Sequence, residues 1–181
     1  MKRLKKIESY IEEKTGHYAC TVQALYICSE LLGVADYSKV KTDYMNIWKA
    51  TGTTIIDTES GINYGSTPTS NVGTGFVKHL KDNKKKTGVT STQKTSAPFS
   101  FFTSAVKKRH VSTLSFSVKG SGSGHSVAVE GYATYKHKSS GKKLNVLLVA
   151  DGWKAQVRYL NFNAAKYDRM TGTKWSGITV Q

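Results

Sequence analysis

Apolar side chains recur at helical spacing in the segment that begins at Cys20. One face of this segment carries Cys20, Ala24, Cys28 and Leu31. Gly33 follows the pattern and supplies the stop of a helix. Cys20 therefore occupies the first turn, where unpaired N–H groups and the helix dipole favour an anion. Cys28 lies about 12 Å away by helical rise, which is beyond the reach of a disulfide, and we expect it to be a small buried apolar residue.

A strand-turn-strand pattern occupies the second half of the chain. Residues 119–124 are a glycine-serine loop that leads into residues 125–132, where apolar and polar side chains alternate. A polar turn follows at residues 136–143, and the apolar run at residues 144–150 predicts a central strand. The pattern therefore predicts an antiparallel hairpin.

The register of this hairpin brings a histidine and an aspartate together. With a turn centred between Lys138 and Ser140, antiparallel pairing sets His125 opposite a position between Asp151 and Ala155. We therefore expect Asp151 to lie near His125.

The rest of the pattern divides the chain into a helical part and a mostly β part. Residues 51–75 are rich in Thr, Gly and Ser, and we predict a long surface loop there. The β part begins near Pro98. The other predicted elements are helices within Arg3 to Gly33, near Tyr44 to Ala50, around residues 75–80 and at Phe101 to Lys108, and a strand at Val111 to Val118. The sequence contains no repeat, heptad run or transmembrane segment.

The chain is strongly basic, with 27 Lys and Arg against 12 Asp and Glu and a formal net charge of +15. Basic residues cluster at positions 2–6, 81–86, 107–109 and 136–143. Such clusters attract nucleic acid, acidic lipid head groups or an anionic cell-wall polymer. No nucleic-acid-binding motif interleaves aromatic residues with these clusters. A non-enzymatic polyanion-binding module is therefore one alternative function, which salt-dependent binding without thiol reactivity would support.

Cys20, His125 and Asp151 follow one another in the settings that a thiol protease requires. The cysteine opens a helix, the histidine opens a strand, and the aspartate ends the next strand. Only a thiolate attacks a peptide, and a helix N-terminus and a neighbouring imidazolium both favour it, while a carboxylate orients the imidazole. Two cysteines eight residues apart and five scattered histidines have no metal-ligand spacing, so neither a metal nor another cofactor is expected.

Three blocks of the sequence resemble the papain-like cysteine peptidases. These are Tyr18 to Cys20 at the start of a helix, Gly124 to Tyr132, and Leu147 to Trp153. The bacterial branches are the most similar: streptopain, the staphopains and the peptidases that process double-glycine bacteriocin leaders. The blocks cover about a quarter of the chain, and their order extends the resemblance over all of it.

The resemblance implies a role for four residues. Cys20 corresponds to the nucleophile that forms an acyl-enzyme, and His125 to the general base and acid. Asp151 corresponds to the residue that orients the imidazole, and Trp153 to the tryptophan that shields the orienting residue from water.

One feature of the family is missing. Its members usually carry a glutamine several residues before the nucleophile, and the side-chain amide completes the oxyanion hole. No glutamine precedes Cys20, and of the residues in that region only Lys14 or Thr15 could donate a hydrogen bond. Losing one oxyanion donor costs ~10²–10³ in rate. If neither residue supplies this hydrogen bond, the chain is expected to be a slow enzyme or a binding protein on a protease scaffold.

The resemblance also implies a two-lobe, papain-like α+β fold in a single catalytic domain, residues 1–181. A helical lobe of about residues 1–95 would carry the nucleophile, and an antiparallel β lobe of about residues 96–181 would carry His125. The implied partner is a peptide or protein substrate, bound by a monomer. A thiol-dependent acyl transferase or cell-wall peptide amidase remains an alternative, because related thiol folds perform that chemistry.

The first residues are basic and no apolar stretch follows them, so no signal peptide is predicted. The bacterial relatives that the chain resembles are largely secreted or face the outside. We therefore expect a secreted or extracellular location for a mature or excised catalytic domain.

Overall fold

Helices and antiparallel strands make up a mixed α+β fold in a computed structural model of the chain, which describes residues 7–121 and 124–181. The helices are α1 (Ile7–Thr15), α2 (Cys20–Leu31), α3 (Val40–Ala50), α4 (Asn71–Lys84) and α5 (Phe99–Lys107), with a 3₁₀ turn at Tyr37–Lys39. The strands are β1 (His17–Tyr18), β2 (Thr54–Glu59), β3 (Ile62–Ser66), β4 (Thr90–Thr95), β5 (Ser112–Val118), β6 (Gly124–Lys136), β7 (Lys143–Ala150), β8 (Arg158–Asn161) and β9 (Tyr167–Ser176). The predicted α+β class is confirmed.

Most predicted elements occur where the pattern puts them. The helix that begins at Cys20 is α2, and the predicted helices near residues 44–50, 75–80 and 101–108 are α3, α4 and α5. The predicted strand at 111–118 is β5. Arg3, the basic cluster at 2–6 and residues 122 and 123 of the glycine-serine loop lie outside the described residues.

Six strands form one antiparallel sheet in the order β4-β9-β5-β6-β7-β8. β9 comes last along the chain but lies between β4 and β5. A smaller sheet has the order β1-β3-β2, in which β1 pairs with β3 in parallel and β2 pairs with β3 antiparallel. β1 directly precedes α2, so the small sheet anchors the chain just before Cys20.

The register of the β6–β7 hairpin agrees with the prediction. Val129 pairs with Val149 and Ala128 with Ala150, after a bulge that shifts the ladder by one residue. Continuing the ladder from Ala128 sets His125 opposite Trp153. This position lies inside the predicted range between Asp151 and Ala155.

The two faces of the six-stranded sheet are covered by different helices. Ala128 and Ala150 belong to a core shared with the residues of α1 to α4. Their neighbours Val127, Val129 and Val149 pack instead with Phe102 of α5. This alternation is the period of two that a strand imposes. Every residue of α2 from Thr21 to Glu30 is buried, so this helix lies inside the molecule and only its two end residues, Cys20 and Leu31, are partly exposed.

The prediction of a long surface loop at residues 51–75 is wrong. This segment contains the hairpin β2–β3 and the start of α4. Ser60 and Gly61, both with positive φ, form the two-residue turn of the hairpin. All six residues of β2 are exposed, so the segment lacks the alternation of buried and exposed positions from which a strand is recognised.

β4 was not predicted either, for a similar reason. It reads Thr-Ser-Thr-Gln-Lys-Thr, and most of its residues are exposed. It lies within the predicted helical part of the chain but forms an edge of the six-stranded sheet through its pairing with β9. Among the described residues, no helix has the length and apolar character needed to cross a membrane.

Candidate active site

Cys20 is the first residue of α2 and its side chain is half-buried. Ala19 precedes it with extended backbone (φ −150°, ψ 122°), and the Tyr44 hydroxyl fixes this residue by accepting from the Ala19 N–H at 2.9 Å. The first hydrogen bond of the helix runs from the Gln23 N–H to the Ala19 carbonyl. The N–H groups of residues 20–22 therefore have no carbonyl partner within the helix, and they face the same end as the thiol.

Cys28 is in the opposite situation. It is fully buried, and its sulfur lies 4.0 Å from the carbonyl oxygen of Ser112. Burial raises the pKa of the Cys28 thiol far above its ordinary value, which leaves it unreactive. Both cysteines are free. The prediction that Cys28 is a buried apolar residue is confirmed.

The imidazole of His125 makes a hydrogen bond with a main-chain oxygen. Its Nε2 lies 2.9 Å from the carbonyl oxygen of Asp151. A carbonyl can only accept, so Nε2 carries the proton, and in the neutral ring Nδ1 keeps its lone pair. Burial lowers the pKa of His125 below its ordinary value, although the bond to Asp151 and the charge of that residue act in the opposite direction. The neutral ring, in which Nδ1 carries the lone pair, is therefore favoured near neutral pH.

The carboxylate of Asp151 makes hydrogen bonds within the turn that follows β7. Its Oδ1 accepts from the N–H groups of Trp153 at 3.0 Å and Lys154 at 3.2 Å. Its Oδ2 lies 3.5 Å from the guanidinium of Arg158. An aspartate side chain readily accepts from the N–H groups two and three residues ahead, so the Asp151 carboxylate stabilises this turn. The main-chain carbonyl of the same residue is the group that contacts His125. Asp151 is thus next to the imidazole as predicted, but through its main chain instead of its side chain.

Trp153 covers the imidazole. The two rings stack with centroids 4.2 Å apart and an interplanar angle of 18°. The indole N–H donates to the hydroxyl of Tyr18 at 2.9 Å, and the Trp153 side chain is 51% exposed. The prediction that Trp153 shields Asp151 is therefore modified: the indole lies on the face of His125.

Both predicted oxyanion donors have partners away from the cavity that Cys20 lines. The Lys14 ammonium pairs with Glu13 at 3.2 Å and lies over the ring of Tyr10. The Thr15 hydroxyl is buried and lies 2.8 Å from the carbonyl oxygen of Ile11, within α1. Both side chains close the end of α1, and neither lines the cavity that contains Cys20. The assignment of an oxyanion role to Lys14 or Thr15 is therefore not supported by their positions.

Cys20 and His125 line one cavity of about 560 Å³. Ile56 and Gly65 of the β2–β3 hairpin form part of its wall, so the strands missed by the sequence pattern contribute to the site. None of the described residues that line the cavity is Asp, Glu, Lys or Arg. The cavity is therefore suited to uncharged segments of a ligand.

A chain of hydroxyl groups crosses the floor of this cavity. The Ser126 oxygen lies 2.8 Å from the Thr21 oxygen and 2.8 Å from the Ser115 oxygen. These contacts link the first turn of α2 to β6, which carries His125, and to its neighbour β5. Isolated serines and threonines are common in loops and strands, so no sequence signal distinguished these three.

Gln23 ties the nucleophile helix to the turn after β7. This buried side chain donates to the Gly152 carbonyl at 3.0 Å. Gly152 has a φ of +80°, and a Cβ at this position would lie 2.6 Å from the Gln23 side-chain oxygen. The signals in the sequence were a glutamine inside an apolar helix and the Asp-Gly dipeptide. This contact lies one residue along the chain from the Asp151 carbonyl that His125 contacts.

A scan of the chain against protein-family models finds no match, and a search of curated proteins finds no similar sequence. The structure also contains no metal-binding cluster of the usual size: among the described residues, no three or more His, Cys, Asp or Glu side chains lie close enough together to hold a metal ion.

Proposed function

We propose that the protein is a cysteine peptidase that hydrolyses peptide bonds through the thiolate of Cys20 and an acyl-enzyme intermediate. The two-lobe, papain-like arrangement of a nucleophile helix against a β lobe is part of this proposal. The observation that carries it is the hydrogen bond from His125 to the Asp151 carbonyl. This bond leaves the lone pair of a neutral imidazole on Nδ1, and His125 lines the same cavity as the half-buried Cys20.

In the proposed reaction Nδ1 of His125 takes the proton of the Cys20 thiol, and the thiolate attacks the carbonyl carbon of the scissile bond. The N–H groups at the start of α2 are the donors that we assign to the developing oxyanion, since they have no carbonyl partner within the helix. The imidazolium returns its proton to the leaving amine, and the acyl group stays on sulfur. Water then attacks the thioester with His125 as base, which releases the acid and restores the thiol.

In this proposal Asp151 and Gln23 do not react with the substrate, and their role is to position His125. The Asp151 carbonyl fixes the tautomer of the imidazole, and the Gln23 amide fixes the neighbouring peptide unit. Because both contacts involve main-chain oxygens, the geometry depends on the turn more than on any one side chain.

Thiol labelling tests the proposal directly. Iodoacetamide at about pH 6, followed by peptide mapping, should modify Cys20 much faster than Cys28, since Cys28 is fully buried. The His125→Ala variant should lose most of the Cys20 reactivity while remaining folded. Equal labelling of the two cysteines in the native protein would contradict the assignment of the nucleophile.

Product analysis then identifies the reaction. Wild-type protein and Cys20→Ser are incubated with a peptide library, and the products are determined by mass spectrometry. New peptide carboxylates that form with the wild type but not with Cys20→Ser support hydrolysis. If the only product is the acyl group transferred to an added amine, the result supports an acyl transferase. A reactive Cys20 without either product would contradict the enzyme proposal, and an unreactive Cys20 together with salt-dependent binding of a polyanion would favour the binding module.

A further inference from the structure

The β6–β7 hairpin projects beyond the strands on either side of it. Among the described residues, β5 pairs with β6 at residues 124–129 and β8 pairs with β7 at residues 146–149. The ladder between β6 and β7 continues past both, as far as the pair Lys136 and Lys143. Residues 135–144 therefore form a hairpin tip that stands out from the sheet.

The hairpin tip is held by its own hydrogen bonds. The His137 N–H donates to the Lys142 carbonyl at 2.9 Å, and the Gly141 N–H donates to the His137 carbonyl at 2.9 Å. The N–H of Ser140 donates to the His137 ring at 3.3 Å. The tip is thus a preorganised surface, and it loses little conformational freedom on contact with a partner.

An apolar pair lies at the centre of this tip. Tyr135 and Leu144 are directly opposite each other in the ladder, so they point to the same side of the hairpin. They are 53% and 39% exposed, and with the lysines around them they line a shallow cavity of about 640 Å³. Apolar surface on a projecting element is favoured when a partner removes it from water.

Positive charge surrounds the apolar pair. The tip carries four lysines, and residues 131–150 include no Asp or Glu. The ion pairs found among the described residues involve none of these four. The lysines are Lys136, Lys138, Lys142 and Lys143.

We propose that the hairpin tip docks the protein onto the surface of an anionic lipid bilayer. Tyr135 and Leu144 enter the head-group region, and the four lysines remain at the level of the lipid phosphates, with their aliphatic stems along the apolar boundary. Charge complementarity alone would also suit a soluble polyanion. The exposed tyrosine-leucine pair among the lysines favours a bilayer, because only a bilayer offers an apolar layer beneath its charges.

Docking by the tip leaves the candidate active site accessible. His125 and Tyr135 are at opposite ends of β6, ten residues apart. At the rise of an extended strand this separation is about 33 Å, so the cavity stays away from the bilayer surface. The proposal does not depend on the peptidase activity.

Vesicle binding by the full chain tests this docking surface. Vesicles of phosphatidylcholine with one-third phosphatidylserine should bind the protein, and vesicles of phosphatidylcholine alone should bind it weakly. Each lysine near an anionic surface contributes about fivefold in affinity, so Lys136→Ser with Lys143→Ser should weaken binding by ~25-fold. The matched control is Lys107→Ser with Lys108→Ser at the end of α5, which removes the same charge and should have a much smaller effect. Equal losses in the two variants would overturn the assignment to the tip.

The apolar pair distinguishes a bilayer from a soluble polyanion. Tyr135→Ser with Leu144→Ser should weaken vesicle binding by at least tenfold and leave heparin binding unchanged. The proposal would be overturned if vesicle binding and heparin binding both weakened in parallel, or if neither changed. A second variant, Tyr135→Trp, keeps the site apolar and adds an indole to the three tryptophans of the chain. The emission of this indole, taken as the difference between the variant and the wild type, should shift to shorter wavelength with anionic vesicles but not with heparin. An unchanged emission with vesicles would likewise contradict insertion.

Discussion

The imidazole of His125 is held on two sides. The Asp151 carbonyl accepts from Nε2, and the Trp153 indole covers one face of the ring. The indole is in turn held by the hydroxyl of Tyr18, two residues before the thiol. The orientation of the proposed base therefore depends on one main-chain oxygen and on one aromatic contact, and each can be altered separately.

The first prediction separates the two possible roles of Asp151. Asp151→Ser keeps a side-chain oxygen that can accept from the Trp153 and Lys154 N–H groups, but it is too short to replace a carboxylate at the imidazole. If the carbonyl orients the ring, Asp151→Ser should retain peptidase activity within roughly tenfold of wild type, and Asp151→Ala should lose more, since it frees the turn. Activities are compared as kcat/KM. Equal, large losses in both variants would return the orienting role to the carboxylate.

The second prediction concerns Tyr18. Burial raises the pKa of its phenol, so the hydroxyl stays protonated while it accepts from the indole of Trp153. Tyr18→Phe removes this acceptor and lets the half-exposed indole move away from His125. Because burial is the main cause of the lowered pKa of His125, that pKa should rise toward its ordinary value.

This shift is measured by NMR titration of the His125 ring protons, which requires no catalytic activity. Trp153→Ala serves as the reference in which the stacking is lost completely. An unchanged His125 pKa in Tyr18→Phe, together with a shift in Trp153→Ala, would show that the Tyr18 bond does not position the indole.

At the scale of the elements, α2 and the β6–β7 hairpin are predictable, because each has a hydrophobic period of its own. The register of the hairpin followed from its polar turn and brought His125 to the segment 151–155 without any tertiary information. β2 and β4 have no such period, since they are edge strands with mostly exposed residues. Their strand conformation depends on partners distant in sequence, so the wall of the cavity that β2 provides could not be predicted.

The candidate site was predictable to a similar extent. The local settings of Cys20 and His125 are visible in the chain, because a helix start and a strand start both leave signals in neighbouring residues. Which oxygen of Asp151 contacts the ring, and where the side chains of Lys14 and Thr15 point, depend on packing that no local pattern encodes.

The third prediction concerns the tie between α2 and the turn after β7. Gly152→Ala adds a Cβ 2.6 Å from the Gln23 side chain at a φ of +80°. Gly61→Ala is a matched control, because its φ is +79° but nothing lies within 4 Å of the added carbon. The control should lose about 1–2 kcal/mol of unfolding free energy from backbone strain alone.

Gly152→Ala should lose more than this control in urea unfolding, and it alone should lower kcat, because its Cβ displaces the peptide unit next to the Asp151 carbonyl. Equal stabilities and unchanged activity would show that the Gln23 contact adjusts without moving the turn.

At the scale of the whole molecule, the fourth prediction concerns stability at low pH. His79 in α4 is fully buried, and neither ring nitrogen has a hydrogen-bond partner among the described residues. Burial, with a smaller contribution from Lys84, lowers the pKa of His79 to about 4. In the unfolded chain the pKa is about 6.5, so the unfolded state takes up a proton between about pH 6.5 and pH 4 that the folded state does not.

The His79 contribution to stability is therefore complete above pH 6.5 and is lost as the pH falls toward 4, by up to about 3 kcal/mol. His79→Leu keeps an apolar side chain beside Phe76 and removes this dependence. Urea unfolding at pH 6.5 and at pH 4 should show that the variant loses clearly less unfolding free energy between the two pH values than the wild type does. The same loss in both proteins would assign the acid sensitivity to other groups.

The position of β9 determines when the fold can be completed. This strand closes the sheet between β4 and β5, which end at Thr95 and Val118, whereas β9 begins only at Tyr167. A nascent chain on the ribosome therefore carries β4 and β5 with unpaired edges until residues 167–176 have been synthesised. Contacts of such long sequence separation make folding slow, and unpaired edges are where chains aggregate. We therefore expect synthesis of this protein to be most efficient when those two strands are protected until residues 167–176 have been translated.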